Sequence, residues 1–301
     1  MESMSKGVVL ACALAVAVAP AGAQEIDTLK KIRVTNAITI GHRDVAVPFS
    51  YVDARQQPIG YSMDLCMRIV DAIRISQKMP RLDVKLRPVT AANRFPLLAN
   101  GTVDIECGST TNTIERQEQV SFLVTTFVTA TRFAWKKSER FTSVNDLKDK
   151  TVAAVAGTTN LRLLNEINNR RGLRMTIVPA KHYNDAFDMV ETGKAAAFLS
   201  SDILIYGLIA NSASPAQFAL SNDALGARPY GIAVRKDDKA FKKVADDAIR
   251  ALFKSGEINE IYAKWFLSPI PPKNITLNAP MSNAMKKVIA EPTDSGNPKD
   301  Y

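Results

Sequence analysis

Residues 101–116 read Gly-Thr-Val-Asp-Ile-Glu-Cys-Gly-Ser-Thr-Thr-Asn-Thr-Ile-Glu-Arg. An apolar-alternating strand runs into a glycine, three small hydroxyl residues and then a helix start that carries Arg116. Backbone N–H groups released at such a turn, flanking hydroxyls and a guanidinium fork together hold a carboxylate through charge-assisted, bidentate hydrogen bonds. Ser109, Thr111 and Arg116 are the candidate donors. The stretch contains neither a nucleophile–base pair nor a set of metal ligands. It therefore suits the binding of a small organic anion rather than its conversion.

The segments that must present this turn alternate between strand and helix patterns, which predicts an α/β fold. A strand region at 32–40 precedes Gly41-His42-Arg43 and a Val47-Pro48-Phe49-Ser50-Tyr51 loop. Leu65, Ile69 and Ala72 mark a helix over 60–75, followed by a short strand at 84–87 and a helix at 92–100 that stops at Asn100-Gly101. Strand 102–107 then feeds the turn, and strand 129–136 leads away from it. A second unit repeats the logic with strand 151–156, the turn Gly157-Thr158-Thr159-Asn160 and a helix through Leu161, Leu164 and Ile167. Strand 175–178, helix 183–192, strand 195–199 and helix 203–210 complete it. A strand at 230–235 returns the chain to the first unit, an amphipathic helix carries Phe241, Val244, Ala248 and Leu252, and the tail beyond Pro269 wraps the surface. Two small-residue turns, one per unit, then face each other at the carboxyl ends of strands, where ligands settle in α/β sheets.

Composition bounds the setting. Lys6, the apolar run 8–18 and Ala21-Gly22-Ala23 predict a secretory signal peptide over 1–23, with cleavage before Gln24. Cys12 is poorly placed for lipoprotein processing, because Leu10 precedes it and apolar sequence continues past it. Removing 23 of 301 residues leaves 278, enough for two moderate lobes. The net charge of +9 is spread among acids, as in Lys236-Asp237-Asp238-Lys239, which argues against nucleic acid and for anionic ligands. Cys66 falls in a helix pattern and Cys107 at a strand end, and both are expected to be buried free thiols. With only His42 and His182, the chain offers little for a metal site or a catalytic triad, and no cofactor is expected. His42 is expected to pack beside the cleft.

Taken together, Gly41-His42-Arg43, Val47-Pro48-Phe49-Ser50-Tyr51, Asn93-Arg94, Glu106-Cys107-Gly108-Ser109-Thr110-Thr111-Asn112, Glu115-Arg116, Gly157-Thr158-Thr159 and Ile270-Pro271-Pro272-Lys273-Asn274 are in order along nearly the whole mature chain. In these blocks the sequence resembles the periplasmic glutamate/aspartate-binding proteins of ABC importers, within solute-binding protein family 3. The resemblance implies a two-lobed class II periplasmic binding fold with a two-strand hinge. It places 24–131 and 232–301 in the first lobe and 132–231 in the second. It further implies a monomer that hands its ligand to an inner-membrane ABC permease. Arg116, Ser109 and Thr111 match residues that hold one ligand carboxylate, Thr159 matches a contact from the second lobe, and Arg43 and Arg94 match receivers of a second carboxylate. Tyr183 and Ser201 occupy second-lobe contact positions.

The sequence departs from that family at three positions. Where the family has a carboxylate that pairs with the ligand's α-ammonium, this chain has Ser201, with Asp202 one residue later. A family histidine corresponds to Tyr183, and a family serine to Ala91. A serine accepts a hydrogen bond from an ammonium without neutralising it, and burying an unpaired charge is costly. Either Asp202 turns inward as a substitute, or the ligand is a dicarboxylate or keto acid lacking an α-ammonium; an acidic amino acid is the leading expectation. A dehydratase-like enzyme on the same fold would need a poised Glu or His in the cleft. Glu106 is the one candidate, but strand alternation is as apt to turn it away, so a non-enzyme is expected. A sensory role would use the same closed surface. Phe49 and Tyr51 either wall the cleft or fill core. Asp64 is expected to be exposed on a first helical turn, and Asp104 to make a structural hydrogen bond.

Overall fold

The computed structural model describes residues 27–301. The expected signal peptide at 1–23 and Cys12 lie outside the described residues. In chain order, the first part comprises α1 (Thr28–Thr35), β1 (Ala37–His42), β2 (Val45–Ala46), β3 (Ser50–Val52), β4 (Pro58–Ile59), α2 (Tyr61–Ser76), β5 (Asp83–Pro88), α3 (Arg94–Ala99), β6 (Ile105–Glu106), α4 (Ile114–Gln117) and β7 (Val120–Phe122). The second comprises β8 (Phe127–Lys136), β9 (Thr151–Val155), α5 (Thr159–Arg171), β10 (Thr176–Ala180), α6 (Tyr183–Glu191), β11 (Ala197–Ser201), α7 (Asp202–Asn211), β12 (Phe218–Leu220) and β13 (Ala227–Tyr230). Then follow β14 (Ala233–Arg235), α8 (Lys239–Ser255), α9 (Glu257–Tyr262) and α10 (Asn283–Ala290).

These strands form two main sheets, ordered β5-β1-β6-β14-β7 and β10-β9-β11-β8-β12. Within the first, β1 pairs parallel with β5 and β6, so their carboxyl ends lie on one edge. In the second, β9 pairs parallel with β10 and β11, which aligns the starts of α5, α6 and α7 along the matching edge. Strand β8 pairs with β13 through Phe127–Ala130 and with β11 through Thr131–Trp135. The chain thus passes between the sheets twice, before β8 and after β13, which gives the expected two-strand connection of a two-lobed α/β fold.

Several local expectations change. The strand pattern over 32–40 divides into α1 and β1. The Asp27 side chain accepts from the Lys30 backbone N–H and caps α1, Leu29 and Ile32 face the core, and Asn36 ends the helix at φ 50°. The single strand expected at 230–235 is β13 and β14, divided at Gly231-Ile232 where the chain changes sheets. Phe49 and Tyr51 fill core. Phe49 makes edge-on contacts with Tyr61, Phe127, Tyr230 and Phe266, while the Tyr51 hydroxyl donates to the Pro271 carbonyl at 2.8 Å. Asp64 is half-buried, and its carboxylate accepts from the Trp265 indole at 2.7 Å. Asp104 makes the expected structural bonds, to the Thr39 backbone at 2.9 Å and to Lys31 at 2.8 Å.

Cys66 and Cys107 are not free thiols. They are joined in a disulfide, with Cα atoms 6.3 Å apart. The core-facing side of α2 lies against the end of β6, a proximity that residues 41 positions apart do not disclose in sequence. The bond ties α2 to the residue just before Gly108-Ser109. Closing a loop of this length restricts the unfolded chain, so Cys66→Ser should lower stability by about 2–5 kcal/mol. Urea midpoints of the variant and the oxidised wild type measure this; equal midpoints would contradict it.

Candidate functional site

The turn after β6 is built around a buried carboxylate. Glu106 accepts from the Thr110 hydroxyl at 2.6 Å, and Thr110 in turn accepts from Arg94 Nη1 at 2.6 Å. Arg94 Nη1 also lies 4.0 Å from Glu106 Oε1. Gly108 is required here, because a Cβ on it would fall 2.2 Å from Glu106 Oε1 and 3.0 Å from Arg43 Cγ. Glu106, read as equally apt to face away, therefore points inward and organises the turn from beneath. Thr90 and Asn93 exchange side-chain-to-backbone bonds at 2.8 and 3.2 Å and fix the start of α3, where Arg94 sits. The tail holds the far side: the Asn112 side chain donates to the Asp294 carbonyl at 2.9 Å.

Three guanidiniums converge on this turn. Arg43, Arg94 and Arg116 are 1%, 2% and 7% exposed. Arg43 follows β1 directly, and its backbone N–H donates to Ser50 Oγ at 2.9 Å. Neither of its terminal nitrogens has a hydrogen-bond partner in the protein, and its Cζ lies 5.4 Å from the centroid of the Tyr183 ring. Arg116 donates to the Thr111 carbonyl at 2.9 Å and, across to the second sheet, to the Gly157 carbonyl at 3.1 Å. Phe95 presents its ring to both Arg94 and Arg116, at 5.1 and 5.3 Å. Burial and the neighbouring Arg94 push Arg116 down to about 9, and burial likewise lowers Arg94 against the opposing pull of Glu106. At neutral pH Arg116 remains charged, in surroundings that penalise its charge.

The second sheet meets this cluster with the starts of its helices. Thr159 begins α5 and its hydroxyl reaches Thr111 Oγ1 at 3.5 Å. Tyr183 begins α6, and Ser201 ends β11. Ser201 Oγ accepts from the Tyr230 hydroxyl at 2.5 Å. Ser109 Oγ and Ser200 Oγ are buried without partners. The two edges are in contact: Gly157, at φ +75°, packs so closely that a Cβ would lie 2.7 Å from the Ala92 backbone. Arg162 and Glu115 form an ion pair across the same mouth. Of the eight residues expected from the sequence, Arg43 meets Tyr183, Arg94 lies beside Arg43 and Arg116, and Thr111 meets Arg116 and Thr159; Ser201 is reached through Tyr230, and Ser109 is buried with its hydroxyl unpartnered. His42 is buried, 3.4 Å from Asp44, with its pKa lowered by burial.

Asp202 does not turn inward. Its Oδ1 accepts from the Thr129 hydroxyl at 2.5 Å and from the Ile203 and Ala130 backbone N–H groups at 2.7 and 3.3 Å. Sequence reading missed Tyr230, Thr110 and Phe95 as parts of the site. The Asn-Arg-Phe run signalled Phe95, but nothing local to Tyr230 signalled its approach to Ser201. Among the described residues no group of His, Cys, Asp and Glu is arranged to hold a metal.

The sequence pattern of the bacterial extracellular solute-binding proteins, family 3, matches residues 38–268. The chain belongs to this family. The L-glutamate/L-aspartate-binding protein of Pseudomonas aeruginosa is 48% identical over 278 residues, covering 92% of each chain. The glutamate/aspartate import solute-binding protein of Escherichia coli is 43% identical over 267 residues, 89% of this chain and 88% of that one. A crystal structure of the cysteine-binding protein of Campylobacter jejuni superposes with a TM-score of 0.71 at 26% identity, covering 80% of this chain and 93% of that one. An arginine-binding protein of T. maritima gives 0.70 at 24% identity, over 79% and 98%, and supports the fold alone.

Within this family 3 chain, Arg43 stands out as a buried charge without a protein hydrogen-bond partner. Such a charge destabilises the protein that carries it. Arg43→Met should therefore raise the stability of the ligand-free protein by about 1 kcal/mol or more. A urea titration reads this directly, and a fall in the midpoint would contradict it.

Proposed function

We propose that this chain is the periplasmic binding component of an ABC importer. It captures a small acidic solute with two carboxylates, the class to which glutamate and aspartate belong. The observation that carries this reading is the convergence of three buried arginines on one inter-sheet cleft. One carboxylate is held by Arg116, Ser109 and Thr111, with Thr159 opposite. The second is received by Arg43 and Arg94. Arginine suits both because its planar fork matches a carboxylate bidentately. The names of the P. aeruginosa and E. coli relatives support glutamate and aspartate as the first solutes to test.

In this reading the lobes are 24–131 with 232–301, and 132–231. They close over the solute by hinge motion about β8 and β13, and the closed monomer docks on an inner-membrane permease. The protein is a receptor rather than an enzyme. Glu106 is committed to Thr110 and Arg94, and among the described residues no His is hydrogen-bonded to it. A ligand that binds only the folded state raises the melting temperature. Acidic amino acids and dicarboxylates screened by thermal shift should include at least one strong stabiliser. Arg116→Ala should abolish its effect, since losing one partner of a buried charge pair costs about 2–5 kcal/mol. Wild-type affinity in Arg116→Ala would overturn the site.

A further inference from the structure

The charges around the cleft do not balance. Arg43, Arg94 and Arg116 contribute three positive charges, and Glu106 is the only carboxylate among the described residues that is packed into the same cluster. Three guanidiniums against one carboxylate leave a net charge of +2. The other acids nearby are engaged elsewhere. Asp202 is bound by Thr129, Ala130 and Ile203 and stands 3.9 Å from Arg132. Asp44 lies beside His42 and is half exposed, and Glu115 pairs with Arg162. A ligand charge of −2 cancels the cluster. A zwitterionic acidic amino acid carries −1 and brings a buried ammonium as well, which leaves one positive charge uncompensated in a desolvated site.

The second-lobe face points the same way. Burial and the neighbouring Tyr183 raise the pKa of the Tyr230 hydroxyl, which stays protonated and donates to Ser201 Oγ at 2.5 Å. Ser201 Oγ spends one of its two lone pairs on Tyr230 and directs its own proton away from that bond. That proton serves a carbonyl, hydroxyl or carboxylate oxygen, whereas an ammonium placed there would find at most one remaining lone pair and no charge to neutralise it. Tyr183 turns its ring face toward Arg43, which already occupies it as a cation site.

Resting on the two-carboxylate reading above, we propose that the preferred solute is a dicarboxylate with no α-ammonium: a four- or five-carbon diacid bearing hydrogen, hydroxyl or oxo at C2. Ser201 is the residue that sets this choice. The carboxylate that follows it in sequence, Asp202, is already bound by Thr129, Ala130 and Ile203.

Calorimetry with matched pairs tests this on the wild-type protein: 2-oxoglutarate against glutamate, and succinate against aspartate. The non-amino member of at least one pair should bind at least tenfold more tightly. Ser201→Asp supplies the missing negative charge and should shift that ratio at least tenfold toward the amino acid, with Ser201→Asn as the uncharged control that leaves the preference in place. Tighter binding of glutamate and aspartate by the wild type would overturn the proposal while leaving the two-carboxylate reading intact. Failure of all four compounds to bind would overturn that reading itself. If Ser201→Asp does not fold, the wild-type pairs decide alone.

Discussion

The structure depends on keeping three guanidiniums together out of water. Like charges repel and buried charges lose hydration, so the cluster persists only where the surrounding protein fixes it. Glu106 supplies one compensating charge from beneath the turn, and Thr110 relays it to Arg94. Phe95 offers its ring to Arg94 and Arg116 at once. Much of the first lobe then serves this cluster. Gly108 leaves room for Glu106, the Cys66–Cys107 bond anchors the turn to α2, and the 294–295 segment of the tail braces Asn112.

In the proposed function, closure draws on the same constraint. Arg116 spends one guanidinium nitrogen on the Gly157 carbonyl of the opposite sheet, so the residue proposed to hold a ligand carboxylate is also a contact between the sheets. The two functions are coupled physically. A carboxylate on Arg116 would offset its desolvation where the sheets meet, and the glycine at 157 lets the two backbones approach closely there. Under the proposed function, ligand charge and lobe closure would draw on one electrostatic deficit rather than on two separate devices.

How much of this could be read from sequence depended on distance along the chain. Ser109, Thr111 and Arg116 lie within eight residues, and the strand–turn–helix pattern around them fixes their neighbourhood locally. Arg43, Arg94 and Thr159 came into view as site residues only through the family resemblance, because each lies at the end of a segment far from the turn in sequence. Tyr230 did not come into view, because β8 and β13 bring it to Ser201 through a pairing that no local pattern encodes. The Cys66–Cys107 bond escaped for the same reason. The first helix escaped for another: Ile32 and Val34 alternate as a strand would, yet Val34 is exposed and the Asp27 cap decides for a helix. Glu106 was ambiguous by alternation, and only the missing side chain at Gly108 lets it turn inward.

The central claim is that two ligand carboxylates together neutralise the arginine cluster. Comparing succinate with its monomethyl ester by calorimetry tests it most directly, since the two differ by one charge at nearly constant shape. The account predicts that the diacid binds roughly 30-fold or more tightly, as expected when a buried charge pair worth about 2–5 kcal/mol is lost. Equal affinities for the diacid and the monoester would contradict it.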